Sequence, residues 1–91
     1  MKEVIISDHA RFEMERRQIE ASMAQEVALE PQQVIEVGKG RRVHQSRYHD
    51  PVEAKEMLLR LVIEPGEKGL RVVTAYKTSR IDKYWRREAR T

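Results

Sequence analysis

The strongest strand signal in the sequence is MLLRLVI, residues 57–63. Its side chains alternate at the two-residue period of a β-strand, and apolar residues fall on both faces. This pattern is typical of a strand that has neighbours on both sides. We therefore predict a central strand, with Met57, Leu59, Leu61 and Ile63 on one face and Leu58, Arg60 and Val62 on the other.

A turn and a second strand follow this segment. Residues 64–69 read EPGEKG, and proline and glycine in this arrangement favour a turn. Residues 70–77 alternate again, which predicts an antiparallel partner for the central strand. Strict alternation would place Leu70, Val72, Thr74 and Tyr76 on one face and Arg71, Val73, Ala75 and Lys77 on the other.

Two further strands are predicted before the central one. Residues 33–37 are rich in β-branched side chains and end at Gly38-Lys39-Gly40, which favours a hairpin. The partner strand, residues 42–48, has no strongly apolar face, so we interpret it either as an edge strand or as a strand that carries function. Residues 49–51 indicate a turn, and residues 52–55 are compatible with one helical turn or a loop.

The chain opens with a short strand and two helices. Residues 4–6 are Val-Ile-Ile, and Ser7 suits the N-cap of a helix over residues 8–17. Apolar residues at helical spacing predict a second helix over residues 20–29. The predicted fold is α+β, with a short N-terminal strand, two helices and then a four-stranded antiparallel sheet that has the helices packed on one face.

Length and composition indicate one small domain, residues 1–91. The sequence has no cysteine, which excludes disulfides and thiolate chemistry, and no cluster of metal ligands is visible in it. We therefore expect neither a metal nor another cofactor. The N-terminal apolar run is too short for a signal peptide or a membrane span, so we expect a cytoplasmic protein without a membrane partner.

Charge is divided unevenly along the chain. Residues 1–40 contain 5 Lys and Arg against 8 Asp and Glu, whereas residues 41–91 contain 13 against 7. A basic second part favours a nucleic-acid or acidic-protein partner, although charge that serves only solubility, or that protects an edge strand, is an alternative. The cations expected to contact RNA are Arg17, Arg41, Arg42, Lys83, Arg86 and Arg87.

The C-terminal segment, residues 77–87, combines cations with aromatic side chains. Lysine and arginine neutralise phosphates, and aromatic rings stack on unpaired bases. Ile81, Tyr84 and Trp85 also follow helical spacing, which favours their docking on the rest of the domain. Docking of these residues would leave Lys83, Arg86 and Arg87 on the solvent side.

The residue types needed for RNA cleavage without a metal are present. The reaction needs a base for the 2′-hydroxyl, an acid for the leaving oxygen and cations for the charge at phosphorus. His9 has the one kind of side chain that titrates near neutrality, although a lone histidine on a helix is more often structural. The catalytic candidates are His9, Arg47, Arg60, Thr74, Tyr76 and Lys77.

Two segments resemble a known family. SDHA at residues 7–10, with Met14, Arg17 and Ile19, is similar to the opening of domain-of-unknown-function family 4258. VVTAYKTSRIDKYW at residues 72–85 is similar to the ending seen in that family and in small toxin-like relatives. The resemblance implies a RelE-like or barnase-like fold, within the barnase, EndoU, colicin and RelE group of metal-independent ribonuclease toxins.

The resemblance also implies which residues act. The family's active residues correspond to His9 and Thr74, with Arg17 and Tyr76 as further matches. Glu13 stands where the family usually has arginine, and Gln18 stands where it usually has glycine, so a cation expected in the first helix is missing. If that arginine is catalytic, this protein binds RNA without cutting it.

Three functions are therefore compatible with the sequence. The leading hypothesis is metal-independent RNA cleavage through attack of the 2′-hydroxyl, with His9 as acid or base. The second is a non-catalytic module that binds RNA or the ribosome through the same basic surface. The third is a toxin-like domain whose partner is an acidic antitoxin protein. The sequence leaves the oligomeric state open.

Overall fold

The computed structural model describes residues 3–87 as an α+β domain with three helices and a five-stranded mixed sheet. The helices and strands predicted from periodicity are confirmed, with ends that differ by one to a few residues. The elements are β1 (Glu3–Ile6), α1 (Asp8–Arg17), α2 (Ala21–Leu29), β2 (Gln33–Gly38), β3 (Arg41–Asp50), β4 (Lys55–Pro65), β5 (Gly69–Thr78) and α3 (Ile81–Tyr84).

The order of the strands is β1-β5-β4-β3-β2, so β4 is the predicted central strand. Strands β2 to β5 pair antiparallel, as predicted. The prediction of a four-stranded antiparallel sheet is incomplete because β1 joins the same sheet, parallel to β5. The alternative that β3 is an edge strand is wrong, since β3 lies between β4 and β2 and buries His44, Gln45 and Ser46.

Strand β1 lies close against the start of β5. The register pairs Glu3 with Gly69, and a Cβ added to Gly69 would lie 2.1 Å from the carbonyl oxygen of Glu3. No other residue type fits at that distance, so the glycine permits this parallel pairing. The pairing in turn directs Val4 and Ile6 towards the core.

Helices α1 and α2 cover one face of the sheet, which we call the helical face. Ser7 begins α1 as predicted, because its Oγ accepts a hydrogen bond from the Ala10 amide at 3.1 Å. The same hydroxyl donates to the Val73 carbonyl at 3.1 Å and so ties the helix start to β5. The core cluster consists of Ala10, Met14, Ile19, Ala24, Val27, Ala28, Leu59, Leu61, Ile63, Leu70, Val72 and Ala75.

Strand β5 contains a bulge at Val73, which the sequence pattern did not predict. The residues on either side pair with consecutive positions of β4, so Val73 is an extra residue in the ladder. One extra residue moves every later side chain of a strand to the opposite face. Leu70 and Val72 therefore face the helices while Thr74 and Tyr76 face away, and the prediction that these four residues share a face is wrong.

Candidate functional site

Strands β3, β4 and β5 place polar side chains together on the sheet face that points away from α1 and α2, here called the distal face. Directly paired residues share a face, and Arg60 pairs with Gln45 on one side and with Tyr76 on the other. Arg47 and Thr74 follow the same alternation. Four predicted catalytic residues therefore lie on the distal face, namely Arg47, Arg60, Thr74 and Tyr76.

Arg60 is at the centre of this group and is only 9% exposed. Its Nε donates to Oε1 of Gln45 at 2.9 Å, and its Nη1 donates to the hydroxyl of Tyr76. The ring of Tyr84 lies over the guanidinium, with 4.2 Å between Cζ and the ring centroid, which is a favourable cation–π distance. All of these partners are electrically neutral.

Within residues 3–87, no carboxylate forms an ion pair with Arg60. Arginine stays protonated in proteins, and burial of a charge is costly unless other groups compensate it. The neutral amide, hydroxyl and ring reduce this cost but leave the positive charge uncompensated. The guanidinium is therefore suited to an anion with oxygen acceptors, and its planar fork matches a phosphate.

The C-terminal segment of residues 81–87, here called the tail, lies across the distal face. Nε2 of Gln45 donates to the carbonyl of Tyr84 at 3.1 Å. The amide of Gln33 binds the backbone of Arg86 in both directions, since it accepts from the Arg86 N–H at 3.0 Å and donates to the Arg86 carbonyl. Two glutamine side chains thus hold the backbone of the tail.

Aromatic packing also holds the tail. The Trp85 ring centroid is 4.6 Å from Cζ of Arg47 in β3. The predicted docking of this segment is confirmed, because Ile81, Tyr84 and Trp85 are partly buried. The expected solvent-facing cations are exposed, and these are Lys83, Arg86 and Arg87.

Gln33 and Gln45 are candidate site residues that the sequence analysis missed. Nε2 of Gln45 also donates to Oε1 of Gln33 at 2.7 Å, so a chain of contacts runs from Arg60 through both amides to the tail. The available signal was the absence of an apolar face in residues 42–48. That signal pointed to a strand with a function, but it did not identify which polar side chains would be buried.

Lys77 lies on the helical face, away from the Arg60 group. Its Nζ is 2.6 Å from Oδ2 of Asp50, and the two side chains are 8% and 2% exposed. The hydroxyl of Tyr48 donates to the same carboxylate at 3.0 Å. Lys77 and Asp50 therefore form a buried pair that is neutral overall, which leaves Lys77 without free charge for a ligand.

The hydrogen bonds around Asp50 determine its ionisation. Burial raises the pKa of Asp50, but hydrogen bonds from Lys77, the Val52 amide and Tyr48 outweigh it and lower the pKa to about 2. Burial, together with the hydrogen bond to Asp50, raises the pKa of Tyr48 far above its usual range. Asp50 is thus held ionised and Tyr48 is held neutral.

His9 is exposed in the first turn of α1, on the helical side of the sheet. Ser7 contacts the bulge of β5, so the start of α1 lies beside that strand. In the described part of the chain, however, no hydrogen bond or ion pair joins His9 to Arg60, Thr74 or Tyr76. His9 thus belongs to a helix that packs on the opposite face of the sheet from the Arg60 group, and it has no described contact with that group.

Three predicted RNA-binding cations already contact carboxylates. These pairs are Arg17 with Glu13, Arg41 with Glu64 at 3.4 Å and Arg42 with Glu36 at 3.0 Å. The last two pairs are exposed and contribute little free energy, so Arg41 and Arg42 can exchange their partners for other anions. Glu13 also pairs with Arg16 at 2.8 Å, so its carboxylate is shared by two arginines of the same helix.

A cleft of about 480 Å³ opens on the helical side, between the helices and the turn after β3. Its lining includes Met14, Ile19, Met23 and Tyr48, with the carboxylates of Glu15, Glu20 and Glu26. An acidic lining repels a polyanion, so this cleft does not suit RNA.

Among residues 3–87, no three His, Cys, Asp or Glu side chains are arranged so that they could hold a metal ion. No helix in this range is long and apolar enough to cross a membrane.

The chain belongs to the family described as Domain of unknown function (DUF4258), whose model matches residues 6–77. The matched range includes Gln45, Arg60 and Tyr76 and ends before α3. Comparisons with curated proteins and with solved structures gave no match.

Proposed function

We propose that this protein binds RNA on its distal face and cleaves it without a metal ion, with the reacting phosphodiester held by Arg60. The observation that carries the proposal is the buried guanidinium of Arg60, whose partners within residues 3–87 are all neutral. A phosphodiester would supply the missing negative charge. It would also accept the guanidinium hydrogen bonds that Gln45 and Tyr76 do not use.

The surroundings of Arg60 favour a nucleic acid over a small anion. Arg47, Lys83, Arg86 and Arg87 are exposed around the distal face and add positive potential along the path of a backbone. Tyr84 and Trp85 provide rings for unpaired bases, each worth about 1–3 kcal/mol in single-strand binding. Single-stranded RNA is therefore the expected ligand class.

The tail controls access to Arg60, because the ring of Tyr84 covers the guanidinium. A phosphate reaches Arg60 when residues 81–87 shift along the face. This shift exchanges contacts with neutral side chains for contacts with a charged ligand, so the ligand offsets the lost docking. Trp85 is the only tryptophan in the chain, and its fluorescence should report the shift.

Tyr76 carries a transferable proton and hydrogen-bonds directly to the guanidinium that would hold the phosphate. Its hydroxyl accepts from Arg60 and keeps its own hydrogen to donate. In the proposed reaction the 2′-oxygen bonds to phosphorus, the bond from phosphorus to the 5′-oxygen breaks, and the proton of the 2′-hydroxyl ends on the 5′-oxygen through Tyr76. Arg60 stabilises the added charge at phosphorus. The products are a 2′,3′-cyclic phosphate and a 5′-hydroxyl.

The test is incubation of the purified protein with mixed-sequence RNA in EDTA. We expect wild type to produce 2′,3′-cyclic ends, and we expect Arg60→Met and Tyr76→Phe each to slow cleavage by about 100-fold or more. His9→Ala, outside the Arg60 group, should cleave at nearly the wild-type rate. A strong loss in His9→Ala together with full activity in Tyr76→Phe would assign the proton transfer to His9 instead.

A non-catalytic RNA-binding function is the second candidate, and the neutral environment of Arg60 supports it equally. It predicts RNA binding by wild type, with log affinity falling by about 0.7 per unit of log salt for each neutralised phosphate, and no cleavage. A 2′-deoxy oligonucleotide is the matched control, since it presents the same phosphates but lacks the attacking hydroxyl. Absence of both binding and cleavage would reject RNA as the ligand.

A further inference from the structure

Gln45 occupies the position next to Arg60 where a carboxylate would be expected. It is completely buried in the middle of β3, and its Oε1 lies 2.9 Å from Nε of Arg60. Its Nε2 donates to Oε1 of Gln33 and to the carbonyl of Tyr84. All of its hydrogen-bonding atoms therefore have partners, so Gln45 is held in one orientation.

A glutamate at this position would have nearly the same shape but different electrostatics. It would place a negative charge against Arg60, as Asp50 does against Lys77 on the helical face. It would also lose both donated hydrogen bonds, because an ionised carboxylate only accepts. The amide is thus the group that orients the guanidinium without neutralising it.

We propose that Gln45 is the specificity-determining residue of the distal face, since its neutral amide reserves the charge of Arg60 for an anionic phosphodiester. This inference rests on the proposed RNA-binding function and adds a role for a residue that does not touch the RNA. Gln45 acts through Arg60 and is a positioning residue. It makes the site selective for ligands that carry negative charge where the guanidinium points.

The experiment measures binding of a 2′-O-methyl RNA oligonucleotide by wild type, Gln45→Glu and Gln25→Glu over a range of salt concentrations. Gln25 is exposed on α2, so Gln25→Glu makes the same change in net charge far from the distal face. We expect Gln45→Glu to bind about tenfold more weakly, with a salt slope lower by about 0.7, because one phosphate contact is lost. Gln25→Glu should stay within about twofold of wild type.

A second variant separates loss of charge from loss of packing. Gln45→Met removes the amide without adding charge, so we expect weaker binding with an unchanged salt slope. Thermal melting of each variant shows whether the fold is kept. If Gln45→Glu does not fold, the Gln45→Met result alone decides, because a reduced slope in that neutral variant would overturn the role given to charge.

The outcomes distinguish this inference from the function on which it rests. If wild type binds no RNA, the proposed function fails. If wild type binds and Gln45→Glu binds with the same affinity and slope as Gln25→Glu, the role of Gln45 is wrong while RNA binding stands. In the Arg60→Met background, Gln45→Glu should cause no further change in slope, and a full second reduction would contradict action through Arg60.

Discussion

Two cations are buried on adjacent strands, and only one of them has a carboxylate partner among the described residues. Arg60 in β4 pairs with Tyr76 of β5, and Lys77 is the next residue of β5, on the other side of the sheet. Lys77 contacts the carboxylate of Asp50 at 2.6 Å, whereas the described partners of Arg60 are neutral. The Lys77 site is neutral overall, whereas the Arg60 site has no negative charge among its described partners.

This difference distinguishes a charge that stabilises the fold from a charge that can bind a ligand. In a buried ion pair with further hydrogen bonds, the two charges compensate each other, so no ligand is required. A buried guanidinium among neutral acceptors still attracts anions. Its removal from water lowers the stability of the folded state. Burial of a cation alone therefore does not identify a functional site, but burial without a counter-charge does suggest one.

The largest expected effect is on stability at the helical face. Lys77→Met leaves the Asp50 carboxylate buried without its counter-ion and should lower the free energy of unfolding by about 3–5 kcal/mol. Urea unfolding at pH 7 measures this value. The double variant Lys77→Met with Asp50→Asn removes both charges and should recover part of the loss. An effect below about 1 kcal/mol in the single variant would show that the pair is not the structural anchor described above.

On the distal face, removal of the cation should change RNA affinity more than stability. Arg60→Met removes an uncompensated charge but leaves Oε1 of Gln45 without its donor, and these effects should nearly cancel to within about 1 kcal/mol of wild-type stability. RNA affinity should fall by about tenfold or more, since a charge-assisted contact is worth about 1.5–3 kcal/mol. Parallel urea and RNA titrations test both parts. Strong destabilisation with unchanged affinity would reverse the assignment of the two sites.

The smallest expected effect comes from protons, because a protonated carboxyl keeps part of its hydrogen bonding. The pKa of Asp50 is lowered from 3.8 to about 2 in the folded state, so its contribution to stability is fully present above about pH 4. It should decline as the pH falls from about 4 towards 2, since the unfolded chain takes up the proton first. The stability difference between wild type and Asp50→Asn should shrink over that range and stay constant between pH 5 and 7. A constant difference down to pH 2 would contradict the lowered pKa.

The sequence predicted the elements and the central strand because hydrophobic periodicity determines which segments become helices and strands. MLLRLVI is apolar on both faces, and it forms the middle of the sheet. The parallel pairing of β1 was not predicted, since it depends on contact between two segments distant in sequence. Gly69 is the local feature that permits this contact, but glycine is common beside turns whether or not another strand packs against it.

The composition of the candidate site depended on one residue that periodicity cannot reveal. Without the bulge at Val73, Tyr76 would face the helices and Lys77 would share the distal face with Arg60. The bulge therefore decides which cation is paired and which remains available. Sequence reasoning selected Arg60 and Tyr76 by residue type, but it grouped Lys77 and His9 with them and missed both glutamines.

The central claim is that the guanidinium of Arg60 binds a phosphate of RNA. The most direct measurement is an NMR titration of the arginine Nε–Hε signals with a 2′-O-methyl RNA oligonucleotide, which binds without reacting. Arg11, which is exposed on α1 on the helical side of the sheet, provides an internal control. We predict that the Arg60 signal shifts in proportion to bound RNA while the Arg11 signal changes little. An unchanged Arg60 signal at saturation with RNA would contradict the claim.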